Sequence, residues 1–321
     1  MTQAIGVDIG GTKVAAGIVD AQGRVLRRAR ADTPERSVRP QVVEDTIVGV
    51  VTELLAEPGH DVVAVGIGAA GFVAADRATI VFAPHLSWRN EPLRERLQDR
   101  LDRPIFVDND ANAAVWAEGQ FGAARGEMHA MMITLGTGIG GGILMNGEVI
   151  RGRFGIAGEF GHMQVVPGGH RCECGNRGCW EQYASGNALV REARGLVAAN
   201  SPLARELYDR VGGDPSRLTG PLVTEVAQAG DRTAIELLAE VGTWLGVGMA
   251  NLAAAFDPGV FVVGGGVSAA GELLIDPARA AFRKQLTGRG FRPEARIVRA
   301  ELGNEAGLIG AAGLARASVL A

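Results

Sequence analysis

Three cysteines fall within eight positions, at Cys172, Cys174 and Cys179, inside the stretch 159–181, EFGHMQVVPGGHRCECGNRGCWE. Two of the five histidines, His162 and His170, lie in the same stretch, with carboxylates at its two ends, Glu159 and Glu181. Structural zinc takes four soft or borderline ligands in a tetrahedron. The cysteines would supply three thiolates, and His162 or His170 is near enough in sequence to supply the fourth. Glycines at 175 and 178 suit a tight knuckle closed on the metal. The competing reading is a disulfide, which would leave one thiol over. The spacing C-x-C-x4-C is not that of a standard zinc finger.

A second kind of chemistry is written in glycine, which makes up 47 of 321 residues, about twice the usual ~7%. Runs 4–10 and 13–19 read as strands joined by Gly10-Gly11-Thr12. Such a turn lets main-chain N–H groups approach a phosphate, with a hydroxyl as an added donor. Asp8 ends the first strand and could hold Mg²⁺ through water; the plainer reading is a hairpin with a buried Asp at its mouth. Run 130–135 leads into Gly136-Thr137-Gly138 and a further strand, then Asn146-Gly147 and another strand. Two strand–glycine-turn–strand hairpins on one plan suggest a duplicated architecture. Near the C-terminus an apolar strand meets Gly264-Gly265-Gly266 and then a helix. That order suits close approach of a nucleotide, or else a tight packing turn.

Asp108-Asn109-Asp110 separates a brief apolar strand from a helix-forming run. Asn109 or Asp110 fits an N-cap, yet three polar residues between two apolar elements is more than a cap requires. The hexapeptide 66–71, GIGAAG, fits a dinucleotide fingerprint in letters only, because strand–turn–strand follows it where a helix is needed. The same holds for the match after residue 135. No G-x-x-x-x-G-K-[ST] occurs, so a P-loop kinase is not supported.

The elements that must position these groups follow from periodicity. Helices are expected at 41–57, 91–102, 111–122, 185–199, 202–211, 221–229, 232–256 and 305–319, with strands at 62–67, 105–107 and 295–299. Length allows two domains with a core each. The net charge of −4 without a basic patch does not suggest a nucleic-acid surface. No leader is seen at the N-terminus and no uninterrupted apolar span of ~18 residues, so a soluble cytoplasmic protein with reduced cysteines is expected.

CECGNRGCWE resembles the C-x-C-G-x-x-G-C-x-E signature of the ROK family of sugar kinases and repressors, and EFGH resembles that family's E-x-G-H element. DNDANA is similar to the family's catalytic N-D-x-N element, and residues 8–13 and 134–142 resemble its two phosphate motifs. The resemblance covers essentially the whole chain, with the motifs in order. It implies an α/β, two-domain, actin-like (ribonuclease H-like) sugar kinase fold with duplicated phosphate hairpins and a zinc knuckle. The domains would be 1–113 plus 301–321, and 114–300, the C-terminal helix returning to the first.

The resemblance also implies roles. Asp110 would be the general base, and Asn109, Asp110, Glu159, His162 and Glu181 would hold the sugar, with backbone from the loop at Gly71. Asp8, Gly10, Gly11, Thr12, Lys13, Gly136, Thr137 and Gly138 would serve ATP and Mg²⁺, and Gly264, Gly265 and Gly266 the adenosine. His162 would join Cys172, Cys174 and Cys179 on structural zinc, leaving His170 on the surface. The implied activity is phosphorylation of a hexose at O6 by ATP, with glucose the expected sugar and a homodimer or homotetramer the expected assembly. Alternatives are another hexose or N-acylhexosamine as acceptor, polyphosphate as donor, or a sugar-sensing repressor. The last would need an N-terminal helix-turn-helix, for which a first strand at residue 4 leaves no room. One departure stands in 83–88, APHLSW, where His85 replaces the more usual Asn.

Overall fold

The computed structural model describes residues 2–84 and 86–320; the departure at His85 lies outside the described residues. Contacts gather the chain into two compact units: Met1–Ala130, Gly142–Gly158 and Glu301–Ala321 form unit 1, and Met131–Gly141 with Glu159–Ala300 form unit 2.

Unit 1 is built on the meander β1 (Gln3–Ile9), β2 (Lys13–Val19) and β3 (Val25–Asp32). β4 (Val62–Ala69) and β8 (Ile105–Asn109) pair in parallel on the other side of β1, giving the order β3-β2-β1-β4-β8. β1, β2 and β4 read as near-continuous apolar runs because both their faces are covered, whereas the edge strand β3 carries charged, exposed residues. Successive side chains of a strand point to opposite faces. Ile5, Val7 and Ile9 accordingly join the core beneath α1 (Pro40–Leu55), whose Val43, Ile47, Val50, Val51 and Leu54 form a buried helical stripe. Ala4 and Gly6 face the C-terminal helix α9 (Ala306–Leu320). Asp8, on the same parity, faces α9 as well.

That helix lies directly on the sheet. Gly6 and Gly66 are register partners on β1 and β4. A Cβ at either would sit 1.9 Å from a carbonyl oxygen of α9, that of Leu308 or Ala311. α3 (Asp110–Phe121) packs along α9 in turn. A domain boundary after residue 113 would cut α3; its packing on α9 keeps the helix whole in unit 1. After Gly71 a small antiparallel sheet forms from β5 (Phe72–Val73), β6 (Ile80–Phe82) and β7 (Arg89–Glu91). The helix expected at 91–102 is shorter, α2 (Leu93–Gln98), because the chain is still in β7 up to Glu91 and Pro92 precedes the first turn.

The second sheet runs β11-β10-β9-β12-β13 from β9 (Ala130–Leu135), β10 (Ile139–Met145), β11 (Glu148–Val149), β12 (Val260–Gly264) and β13 (Arg296–Arg299). Counted within each sheet, both have the order 3-2-1-4-5. Asn146 and Gly147 both take positive φ, 53° and 77°, the primed turn that a two-residue hairpin favours.

Unit 2 adds α4 (Gly186–Ala198), α5 (Arg205–Val211), α6 (Gly220–Gln228), α7 (Arg232–Phe256) and α8 (Glu272–Gln285). The helix expected from 202 opens as a 3-10 turn, Pro202–Ala204, before α5. The triple glycine likewise leads into a 3-10 turn, Gly266–Ala270, and Gly271 at φ 63° separates it from α8. Among the described residues, α7 alone is long and apolar enough by composition to cross a membrane. Most of its apolar stretch is buried, however, and α8 packs closely against it at Gly242 and Gly246.

Candidate functional site

In unit 1, Asp8 stands at the end of β1 opposite Ala15, and its carboxylate lies against the first turn of α9 at Gly307. Burial and the nearby charge of Asp110 raise its pKa to about 7, with Lys13 pulling the other way. The turn that follows is closed by Gly10 N–H donating to Lys13 O (3.0 Å) and braced by Thr33 Oγ1 donating to Gly10 O (2.8 Å). Gly11 and Thr12 at its tip are exposed, so their main-chain N–H groups are open to an anion.

Asp110 is the first residue of α3, and Asn109 is its N-cap. Asn109 Oδ1 accepts from the N–H of Ala111 (2.8 Å) and Asn112 (3.1 Å), while its Nδ2 donates to Gly71 O (3.1 Å). The cap reading therefore holds for Asn109, and the same bonds fix the Gly71 loop beside Asp110. Burial raises the Asp110 pKa, and the Ala111 N–H and the Asn109 side chain oppose the shift. A carboxylate made more basic by burial and held at a helix N-terminus can accept a proton and still carry charge.

In unit 2 the fold gathers the side chains of His162, Cys172, Cys174 and Cys179, whose ligand atoms all lie within 4.8 Å of one another. Cys174 Sγ is 3.6 Å from Cys179 Sγ, and Cys172 Sγ is 3.6 Å from His162 Nδ1. A disulfide would need about 2.05 Å between sulfurs. A zinc ion about 2.3 Å from sulfur and about 2.0 Å from nitrogen would set its ligands roughly 3.5–3.8 Å apart. The donor set and spacing fit a metal. His170 is elsewhere: its N–H donates to Tyr183 Oη (3.0 Å) and its ring packs on Tyr183.

Glu181 borders the cluster, with Oε1 accepting from Cys172 Sγ (3.1 Å) and lying 3.5 Å from His162 Nδ1. Glu159 precedes the 3-10 turn Phe160–His162, whose His162 N–H returns to Glu159 O (3.2 Å). The second glycine turn is close by. Gly136 N–H donates to Gly138 O (3.0 Å), and the start of α4 holds the turn from outside through Gly186 N–H to Gly136 O (2.9 Å) and Asn187 N–H to Thr137 O (3.3 Å). Gly265, at φ 81°, packs so tightly on the end of β9 that a Cβ would lie 2.5 Å from Leu135 O. Thus Gly136–Gly138 and Gly264–Gly266 converge within unit 2.

Sequence reasoning missed the supports of these groups. Asp108 is buried and takes a forked ion pair from Arg151 (Nη2–Oδ2 2.6 Å), with Arg77 Nε at 3.4 Å and Asn112 Nδ2 at 3.2 Å. Glu118 is fully buried and accepts from the N–H groups of Ala123, Glu301 and Leu302, tying α3 to the segment before α9. Trp180 sits against Gly248 and donates its Nε1–H to Trp244 O (2.8 Å), seating the knuckle on α7. Only the run of polar residues at 108–110 hinted at the first; the others have no local signal.

The ROK family model matches residues 4–318. The glucokinase of Streptomyces coelicolor is 47% identical over 312 residues, 97% of each chain. The crystal structure of a ROK family glucokinase from Streptomyces griseus, in complex with glucose and AMPPNP, superposes with a TM-score of 0.88 at 49% identity, covering 98% of this chain and 99% of that one. The ROK hexokinase of Thermus thermophilus superposes with a TM-score of 0.82 at 36% identity over 99% of both chains. With its motifs in order and its mixed α/β sugar kinase fold, this chain belongs to the ROK family.

Proposed function

We propose that the chain is an ATP-dependent glucokinase, transferring the γ-phosphoryl group of ATP to O6 of glucose. The observation that carries this is the full-length likeness to a glucokinase whose structure holds glucose and AMPPNP. The shared 3-2-1-4-5 order of the sheets, each with a glycine turn after its first strand, supports reading the fold as duplicated and actin-like.

Phosphoryl transfer asks the protein for alignment, charge neutralisation and a proton acceptor. Asp110 takes the proton from the O6 hydroxyl. Asn109, Glu159, His162 and Glu181 hold the other hydroxyls, with backbone near Gly71. The turns Gly10–Lys13 and Gly136–Gly138 hold phosphates at their exposed tips, Gly11-Thr12 and Gly136-Thr137, and Gly264–Gly266 takes the adenosine. Asp8 is the residue that would hold Mg²⁺: the negative charge of Asp110 nearby, which raises the Asp8 pKa, makes a site where a divalent cation is favoured. When bound, Mg²⁺ neutralises charge on the transferring phosphates. His162, Cys172, Cys174 and Cys179 would hold zinc, which fixes the loop bearing the sugar contacts and does not activate water. Reduced thiols fit a cytoplasmic setting, and a homodimer or homotetramer is the proposed assembly.

The test is ADP release from ATP·Mg²⁺ over a panel of hexoses, with wild type and Asp110→Asn. Turnover with glucose that Asp110→Asn abolishes, while glucose still binds, supports the assignment. No turnover with any sugar and ATP overturns it.

A further inference from the structure

Gly136 and Gly138 stand two residues apart in the same turn, and their surroundings differ sharply. A Cβ on Gly136 would meet nothing within 4 Å, whereas one on Gly138 would lie 2.4 Å from Glu181 Oε2. Neither glycine has a positive φ, so the backbone of both admits alanine. Glu181 is largely buried, its side chain 16% exposed, and its other oxygen faces Cys172 Sγ at 3.1 Å. The carboxylate thus fills the space between the His/Cys cluster and the turn. Its own segment is tied to the turn again a few residues on, by Gly186 and Asn187.

We propose that Glu181 is a positioning residue that couples the two substrates: it transmits the arrangement of the second glycine turn to the sugar site, so that nucleotide and sugar raise each other's affinity through the Glu181–Gly138 contact. This rests on the proposed function, in which Glu181 touches sugar and the turn holds phosphate. The physical reason is packing. A carboxylate held against backbone on one side and the cluster on the other cannot shift for one ligand without shifting for both. Coupling between sites is reciprocal and of the order of 5–150-fold in affinity where it is measured.

The experiment is calorimetric binding of glucose with and without AMPPNP·Mg²⁺, to wild type, Gly136→Ala, Gly138→Ala, Glu181→Gln, Glu181→Ala and the Gly138→Ala/Glu181→Ala double variant. AMPPNP is expected to tighten glucose binding about fivefold or more in wild type, and that ratio is expected to fall to about one in Glu181→Gln. Gly138→Ala is expected to weaken glucose about tenfold although it lies in the nucleotide turn, while Gly136→Ala alters nucleotide affinity alone. Residues in contact are non-additive, so adding Gly138→Ala to Glu181→Ala should change glucose affinity less than twofold. An unchanged coupling ratio in Glu181→Gln overturns the proposal, as does additivity in the double variant. If Glu181→Ala binds glucose as wild type does, the sugar role of Glu181 itself fails, and that outcome is separately visible. Should Gly138→Ala not fold, the ratio in Glu181→Gln decides alone.

Discussion

At the residue scale the two carboxylates of unit 1 carry opposite demands. As the proposed base, Asp110 must be basic enough to accept a proton and charged enough to do it near neutrality, and burial against a helix N-terminus supplies both. Asp110→Asn keeps the shape and the Asn109 cap, so glucose binding should survive while kcat falls by about 10²–10⁴-fold, the usual worth of a general base; single-turnover rates beside a glucose titration check this. Asp8 has an ordinary pKa of 3.8 and a folded value of about 7. The folded chain therefore binds more protons than the unfolded chain between those values, and ionised Asp8 lowers stability as pH rises through that window. In the absence of nucleotide and Mg²⁺, Asp8→Asn should raise Tm at pH 8 by about 2–4 °C, with the gain fading as pH falls toward 4. The same variant should lose activity, and wild-type kcat/KM should fall as pH drops below about 7. A Tm gain for Asp8→Asn that persists at pH 4 would mean that Asp8 titration is not its source. Both carboxylates were legible as candidates from their place at strand ends. The effect of Asp110 on Asp8 was not, because residues 8 and 110 meet only when β1 and β8 enter one sheet.

At the scale of elements the glycines divide into two kinds. Gly136, like the exposed Gly11, leaves open the backbone of a turn proposed to hold phosphate, and those of β1, β4 and α9 let one backbone lie on another. A Cβ at Gly310 would fall 1.8 Å from Ala113 O, between α9 and α3. Gly310→Ala should cost about 3 kcal/mol, at the upper end of ordinary overpacking, read as a fall in Tm with no change in metal content. Arg151 is the matching case for charge. It forks onto buried Asp108, and Arg151→Met leaves that carboxylate short of a partner. The expected loss is about 3 kcal/mol or more, measured by the same thermal scan. The sequence pattern located nearly every helix and strand, since apolar periodicity is a local property. It could not separate ligand glycines from packing glycines, because the difference is whatever lies opposite the missing Cβ.

At the scale of the whole molecule, metal and sugar binding should be linked through unit 2. The knuckle is seated on α7 by Trp180 and borders Glu181. Stripping metal with a chelator should lower Tm, weaken glucose binding and release close to one zinc per chain by elemental analysis; Cys174→Ser should do the same without chelator. Full stability and glucose affinity in metal-free protein would remove the knuckle from the site.

The sequence by itself determined the chemistry available: the thiolates and imidazole in one stretch, the glycine turns after apolar strands, and the polar triplet before α3. These are legible because ligand type, turn chemistry and periodicity are set within a few residues. Spacing left two histidines open and the family resemblance pointed to His162; tertiary structure supplies the physical reason that it is the one gathered with the cysteines. His162 and His170 were both near enough in sequence, and the fold turns one into the cluster and packs the other, tilted, against Tyr183. It also decided that Asp108 is a clamped structural acid beside a candidate base two residues on, that Glu118 ties α3 to a segment some 180 residues later, and that Glu181 fills the space over Gly138. Each of these depends on what long-range packing brings against a side chain, and no spacing within the chain encodes that distance.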